Sequence, residues 1–527
     1  MKNIKLLLLI LTSGMFLLAS CQSTKLKTND LTNEYGETYR PLVHFSPPAK
    51  WMNDPNGLVF FEGEYHMFYQ HYPDGIVWGP MHWGHAVSTD LVHWENLPIA
   101  LYPDSLGYIF SGSAVVDINN TSGLGKQDKP AMIAIFTYHS SVLEKKGKDN
   151  YQTEGMAYSL DKGRTWTKYA ENPILSNPGL RDFRDPKVSW NVENKEWIMT
   201  LATGDCVSFY SSPDLKKWTF ESKFGKNEGA HGGVWECPDL IKMPVKNVKG
   251  ESKWVLLVSI NPGGPNGGSA TQYFTGSFDG HQFTSDNAKT RWVDYGKDNY
   301  AGVTYSGIPQ NDGRCLLIGW MSNWQYATSV PTTPWRSAMT FPRQLNLEKG
   351  NGEYYITSNP VEEIERLRES KVTIKSFEVK DKKELTKEVP FELSPIEVIA
   401  EFELPKTGAS SEFGFELYNT KNEYIIVGYN NSGKRFFINR ENSGKNDFSK
   451  DFQGLHFSGE MKTDSIISVH LIIDMASVEL FGQSGKVSMT DIFFPNEPFK
   501  DLRVYSKNGT VKCKGLTFYK LNNIWKQ

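Results

Sequence analysis

Cysteine is scarce in this 527-residue chain. There are five, Cys21, Cys206, Cys237, Cys315 and Cys513, and no two form a CxxC pair. That spacing gives no support to a zinc site or a thioredoxin-type centre, and so few scattered thiols make no disulfide framework. An excess of one charge is missing too. Lys and Arg total 57 against 60 Asp and Glu, a formal net charge of −3. This balance argues against a nucleic-acid partner, which calls for a basic excess or stripe. Helical periodicity is sparse. Long apolar runs are confined to the N-terminus, where Leu6 to Leu18 covers 13 residues, too short to span about 30 Å of bilayer at about 1.5 Å per residue. What is abundant is aromatic: 30 Phe, 24 Tyr and 15 Trp. Such residues favour strands, and their rings serve as platforms for sugars.

The N-terminus has the pattern of a processing signal. Lys2 and Lys5 precede the apolar run, which ends in Leu18-Ala19-Ser20-Cys21. This ending resembles the lipobox of bacterial lipoproteins, in which cleavage before the Cys is coupled to its lipidation; the alternative is an ordinary secretory signal with a chance Cys. The resemblance implies a signal peptide over 1–20 and lipidation at Cys21. The chain would then be lipid-anchored to the bacterial cell envelope, at a periplasmic or surface face of the outer membrane, with membrane contact only through Cys21. Residues 21–39, rich in Ser, Thr, Asn and Lys, read as a polar tether.

Short alternating runs bounded by Gly, Pro, Asn and Asp recur along the chain, as in Leu58–Phe61, Tyr65–Tyr69 and Trp254–Ile260. This is an all-β pattern. It contains a repeat. Ser88-x-Asp90 precedes Trp94, Ser159-x-Asp161 precedes Trp166, Ser212-x-Asp214 precedes Trp218, and Ser277-x-Asp279 precedes Phe283. Each Asp is placed to cap a tight turn by accepting from backbone N–H groups, with the aromatic opening the next strand. One such hairpin per blade suits a β-propeller, and residues 40–358 leave room for five blades of roughly 63 residues. Val361, Ile364 and Leu367 predict a short helical linker over 359–372. Beyond it Trp nearly vanishes and regular strands follow, including VIAEFEL, EYIIVGY and SVELFG. These read as a β-sandwich over 373–527.

Three carboxylates stand in irregular, aromatic-rich settings. Asp54 lies in Trp51-Met52-Asn53-Asp54-Pro55-Asn56-Gly57, Asp185 in Phe183-Arg184-Asp185-Pro186, and Glu236 in Val234-Trp235-Glu236-Cys237-Pro238. Taken singly, the first two read as turns. Glu236, between Trp and Cys in an apolar stretch, is expected to have its carboxyl pKa raised by burial, as a general acid near neutral pH requires. Drawn from three blades to one channel mouth, a pair of such groups could flank a glycosidic bond as acid and nucleophile or base.

WMNDPNG, FRDP and the Glu-Cys-Pro stretch, in this order, resemble the signature blocks of glycoside hydrolase family 32, the invertases, inulinases and levanases. Phe110-Ser111-Gly112-Ser113, Trp78-Gly79, Asn323-Trp324 and Ser477-Val478-Glu479-Leu480-Phe481 are similar to further blocks of that family. The resemblance spans nearly the whole chain. It implies a five-bladed β-propeller followed by a β-sandwich and a retaining hydrolase of β-linked fructofuranosyl units, with fructan (levan or inulin) or sucrose as substrate. Asp54 is implied as nucleophile, Glu236 as acid-base, and Asp185 as the group that holds fructose hydroxyls, oriented by Arg184. Trp51, Asn53, Gln70, Trp78, Phe110, Ser111 and Trp324 are implied to line the pocket. No metal or organic cofactor is implied. Cys237 reads as a packing neighbour of the acid.

Two other classes remain at this point: an inverting five-bladed hydrolase of arabinan or xylan, and a sugar-binding lipoprotein without activity. A fructosyltransferase would share the covalent intermediate. His44, His82 and His85 are candidates for sugar contact, whereas His456 and His470 require no role. Cys206 and Cys315 are expected as buried small hydrophobes, and the sandwich as a structural buttress.

Overall fold

The structure, a computed structural model, describes residues 35–126, 129–405, 407–461 and 465–525. The signal segment, Cys21 and the tether up to residue 34 lie outside the described residues. Strands dominate, and the α-helix among the described residues is the five-residue Ser141–Lys145.

Five small antiparallel sheets are arranged around a central axis. Each begins with an inner strand and steps outward. Blade I starts with Lys50–Phe61, blade II with Tyr108–Asp117, blade III with Arg184–Asn191, blade IV with Val234–Pro244 and blade V with Tyr300–Thr304. Each inner strand contacts the next, and that of blade V returns to blade I. The ring is closed by Trp335–Arg336, which leaves blade V and pairs in parallel with Lys50–Trp51. Middle strands are covered on both faces. They therefore read as unbroken apolar runs, such as the wholly buried Ala131–His139, rather than as alternating ones.

The repeated Ser-x-Asp turns form as the sequence predicts. Asp90 accepts from the N–H of Val92 and His93, Asp161 from Thr165, Asp214 from Lys216 and Lys217, and Asp279 from His281 and Gln282. The residue after each Asp is left-handed: Leu91 at φ 68°, Lys162 at 57°, Leu215 at 63° and Gly280 at 104°. The Asp side chain compensates that cost by satisfying turn donors that would otherwise lack partners.

The predicted helical linker over 359–372 is shorter and tighter than expected. Glu362–Leu367 is a 3-10 segment, and a strand, Arg368–Ile374, follows directly. The apolar stripe that suggested a helix buries Val361, Ile364 and Leu367 in the seam with the propeller. Tertiary burial decides the conformation here rather than local period. A seven-stranded and a six-stranded layer then pack face to face. One is ordered 368–374, 511–521, 396–403, 466–474, 477–482, 487–492, with 377–379 beside it. The other is ordered 382–384, 501–507, 412–418, 424–430, 435–439, 455–457. Phe402, Phe413, Phe415, Leu471 and Phe518 lie among the buried residues between them.

Two smaller expectations also change. The last tether residues belong to the fold: Tyr39 is buried against Phe494, and the Tyr35 ring stacks on Trp525 at 4.1 Å. Cys206 and Cys315 are half-buried, because each sits at a strand end rather than within a core strand.

Candidate active site

Every inner strand is interrupted near its N-terminal end. Pairing slips between Met52 and Val59 in blade I, between Ile109 and Gly112 in blade II, opposite Thr200–Ala202 in blade III, between Glu236 and Asp239 in blade IV, and between Tyr300 and Val303 in blade V. A bulge re-aims a side chain out of the pleat. Here five of them turn side chains of all five blades toward one mouth. Asp185, Cys237 and Ala301 have φ of 64°, 46° and 52°, a cost that clusters where function requires particular side-chain directions.

The three carboxylates meet there. Ser111 Oγ donates to Asp54 Oδ2 at 2.7 Å. Asp54 Oδ1 is buried and accepts no hydrogen bond. The Cys237 N–H donates to Asp185 Oδ2 at 3.1 Å, and Cys237 Sγ lies 3.8 Å from Asp54 Oδ2 and 3.7 Å from Asp185 Oδ2. The thiol is thus the spacer between two acids. Burial first, then the neighbouring carboxylates, keeps it a neutral thiol.

Glu236 is not held by its sequence neighbours. Trp235 turns into the core between blades III and IV. The Glu236 carboxylate accepts from Arg184 Nη2 at 3.0 Å and Nε at 3.3 Å on one oxygen, and from the Tyr300 hydroxyl on the other. The apolar setting suggested by the sequence is replaced by a cation and a phenol. Arg184 also binds Asp182 at 2.6 Å, and its nearest approach to Asp185 is Nε at 3.9 Å. It therefore orients Glu236 more than Asp185, contrary to the expected pairing. Tyr300, at the start of the fifth inner strand, is the site residue that motif reading missed; nothing in Asn299-Tyr300-Ala301 marks it.

Burial raises the pKa of Asp54, against which the Ser111 hydroxyl favours the ionised form. Burial likewise pushes Asp185 up to about 7; Arg184 opposes this, while Glu236 and Asp54 reinforce it. Beneath Asp185, Thr137 receives its N–H and donates in turn to the buried Glu154.

Around this centre, Asn53 and Gln70 are buried, with Gln70 donating to the Ile109 carbonyl at 3.1 Å. Trp78 is 41 % exposed and stands edge-on to Phe110, with ring centroids 6.0 Å apart. Trp51 is fully buried: its indole N–H holds Asn53 Oδ1 at 2.7 Å and its ring stacks on Trp324, so it supports the wall from behind. The candidate histidines are committed elsewhere. His44 bridges Asp474 and Glu479 of the sandwich, His85 pairs with His66 and stacks on Phe68, and His82 bonds the Pro80 carbonyl and meets Tyr102 edge-on. Among the described residues no cluster of His, Cys, Asp and Glu has the arrangement of a metal site.

Residues 44–360 match the model of the glycosyl hydrolases family 32 N-terminal domain, and residues 363–520 match that of its C-terminal domain. The chain belongs to glycoside hydrolase family 32. It is 46 % identical to a levanase of Bacillus subtilis over 93 % of this chain and 72 % of that one. It is 37 % identical to an extracellular exo-inulinase of Aspergillus awamori, covering 93 % and 96 %. The crystal structure of exo-inulinase from Aspergillus awamori superposes with a TM-score of 0.85 at 35 % identity, over 93 % of this chain and all of the other. A β-fructofuranosidase of Schwanniomyces occidentalis complexed with fructosyl-erythritol gives 0.84 at 33 %, over 94 % and 99 %. This family 32 member is therefore a glycoside hydrolase with a five-bladed propeller and a β-sandwich, in a family whose enzymes retain configuration.

Proposed function

We propose that the protein hydrolyses β-fructofuranosidic bonds of levan, inulin and sucrose through a covalent fructosyl-enzyme. The observation that carries this reading is the meeting of Asp54, Asp185 and Glu236 at one mouth, with Ser111 holding Asp54 Oδ2, Cys237 set between Asp54 and Asp185, and Arg184 and Tyr300 holding Glu236. The Asp54 carboxylate attacks C2 of the fructosyl unit as the C2–O bond breaks. Glu236 gives its proton to the leaving oxygen. A water then attacks C2, Glu236 takes that proton, and Asp54 is released. Arg184 and Tyr300 fix the Glu236 carboxyl across both steps. Asp185 accepts from fructose hydroxyls and faces the positive charge that develops at the ring, which draws it toward its ionised form. Asn53, Gln70, Trp78, Phe110, Ser111 and Trp324 form the wall.

The test is a product profile of residues 22–527 on levan, inulin and sucrose, with Asp54→Asn as control. Fructose alone from the outset means exo cleavage, and a ladder of oligosaccharides means endo cleavage. Release only from arabinan or xylan would overturn the reading. We also propose that Cys21 is lipidated and anchors the enzyme to the envelope, on the strength of Leu18-Ala19-Ser20-Cys21. Metabolic labelling with a palmitate analogue, abolished in Cys21→Ala, tests it.

A further inference from the structure

The segment joining blades IV and V, residues 293–299, leads directly into Tyr300 and runs along a sandwich strand. The Tyr295 N–H donates to the Ser488 carbonyl at 2.8 Å, Asp298 N–H to the Thr490 carbonyl at 2.9 Å, and Lys297 N–H to Asp491 Oδ1 at 2.8 Å. In return Thr490 N–H donates to Asp294 Oδ1 at 2.9 Å and Ile492 N–H to Asp298 Oδ2 at 3.0 Å. The fit is close: a Cβ on Gly296 would stand 2.1 Å from Thr490 N. Two buried ion pairs pin the ends. Arg343 joins Asp294 to Glu479, and Arg440 of the sandwich pairs with Asp298. Tyr326 donates to Asp298 Oδ1 at 2.5 Å and receives Arg440 Nη2 at 2.8 Å. Two residues after Asp298, the buried Tyr300 delivers its hydroxyl to Glu236.

We propose that the sandwich domain sets the geometry of the acid-base group in the propeller, with Arg440 and Tyr326 as positioning residues that act through Asp298 to hold Tyr300 against Glu236. The proposal rests on the reading of Glu236 as acid-base. The sandwich is then part of the catalytic apparatus as well as a buttress. The side chain that fixes one Glu236 oxygen belongs to a strand whose entry is spliced to another domain. Buried networks of this kind have one low-energy arrangement, so a change at Asp298 is transmitted to Tyr300 rather than absorbed. The groups that share the Glu236 environment are Arg184, Asp185, Asp54 and Cys237; those around Asp298 are Arg440, Tyr326, Lys297 and Asp491.

The test uses Tyr326→Phe in the full chain, which removes one hydroxyl and no ring volume. Two substrates are compared: sucrose, whose leaving oxygen needs a proton, and an aryl β-fructofuranoside, whose leaving group does not. The expected result is a fall in kcat/KM on sucrose of about three- to ten-fold, the size of one lost hydrogen bond, with the aryl substrate within about two-fold of wild type. Tyr300→Phe shows the same substrate split, and the double variant is no slower on sucrose than Tyr300→Phe alone. Arg440→Lys keeps part of the sucrose activity that Arg440→Met loses. An equal loss on both substrates, multiplicative effects of the two Tyr variants, or an unchanged Tyr326→Phe would overturn the proposal. A wild-type enzyme inactive on both fructosides would instead overturn the underlying reading.

Discussion

Replacing Asp185 by Asn should abolish turnover and yet stabilise the free enzyme, and the gain should depend on pH. Asp185 is buried with Asp54 and Glu236 near it, while Arg184 spends its short hydrogen bonds on Glu236 and Asp182 and comes no closer to Asp185 than 3.9 Å. Its folded-state pKa is accordingly pushed up to about 7, above the roughly 3.9 of an unfolded Asp. The folded form then binds its proton more tightly than the unfolded chain does. Stability is therefore lost as pH rises from about 4 to about 7 and stays low above that. Three units correspond to about 4 kcal/mol as an upper limit. Asn keeps an oxygen for the Cys237 N–H but loses some bond strength, which leaves a gain of about 1–3 kcal/mol at pH 8. For a cooperative unit of this size that is roughly 2–6 °C in Tm. Thermal melts of both proteins at pH 4, 6 and 8 measure it: the curves should coincide at pH 4 and separate progressively above it. A variant less stable than wild type at pH 8, or a gap independent of pH, would refute the assignment of Asp185 as an under-compensated buried acid.

Four further outcomes are expected. Asp54→Asn should lose turnover by several orders of magnitude while fructan binding, followed by calorimetry, persists. Glu236→Gln should lose orders of magnitude in kcat/KM on sucrose but far less on an aryl fructoside, because only the former needs a protonated leaving group. Ser111→Ala removes the hydroxyl that favours ionised Asp54; the acidic limb of the kcat/KM profile should move to higher pH, with the largest loss at acid pH. His44 is wholly buried; burial opposes its charge, but Asp474 and Glu479 outweigh this and raise it to about 9. Its contribution to stability is full below about pH 6.5 and is lost as pH rises through about 9. His44→Gln should be less stable by about 2–4 kcal/mol at pH 6 in urea unfolding, and the difference should shrink by pH 10.

Much of this protein was legible along the chain because its signals are local. The Ser-x-Asp turns were readable because an Asp caps backbone donors only a few residues away. The strand content followed from aromatic and β-branched runs. The motif blocks around Asp54, Asp185 and Glu236 named the carboxylates because irregular backbone at a site requires unusual local sequence. Local rules failed where burial overrode them. The stripe Val361, Ile364, Leu367 fits a helical face, but the seam it fills accepts a 3-10 turn and a strand.

The all-β class, the propeller turns and the three suspect acids can be read along the chain. What surrounds those acids depends on how distant segments fold together. Glu236, between Trp235 and Cys237, would be an apolar-pocket acid on sequence grounds, yet it faces Arg184 and Tyr300 from two other blades. His44 stands close in sequence to Asp54, yet it crosses to Asp474 and Glu479 of the sandwich. The physical reason is common to both. A bulge or a left-handed residue rotates a side chain out of the direction its neighbours imply, and a carboxylate's or imidazole's charge state is set by whatever lies within a few ångströms in space. Those groups come from segments 52 and 64 residues away within the propeller for Glu236, and 430 residues away in the sandwich for His44.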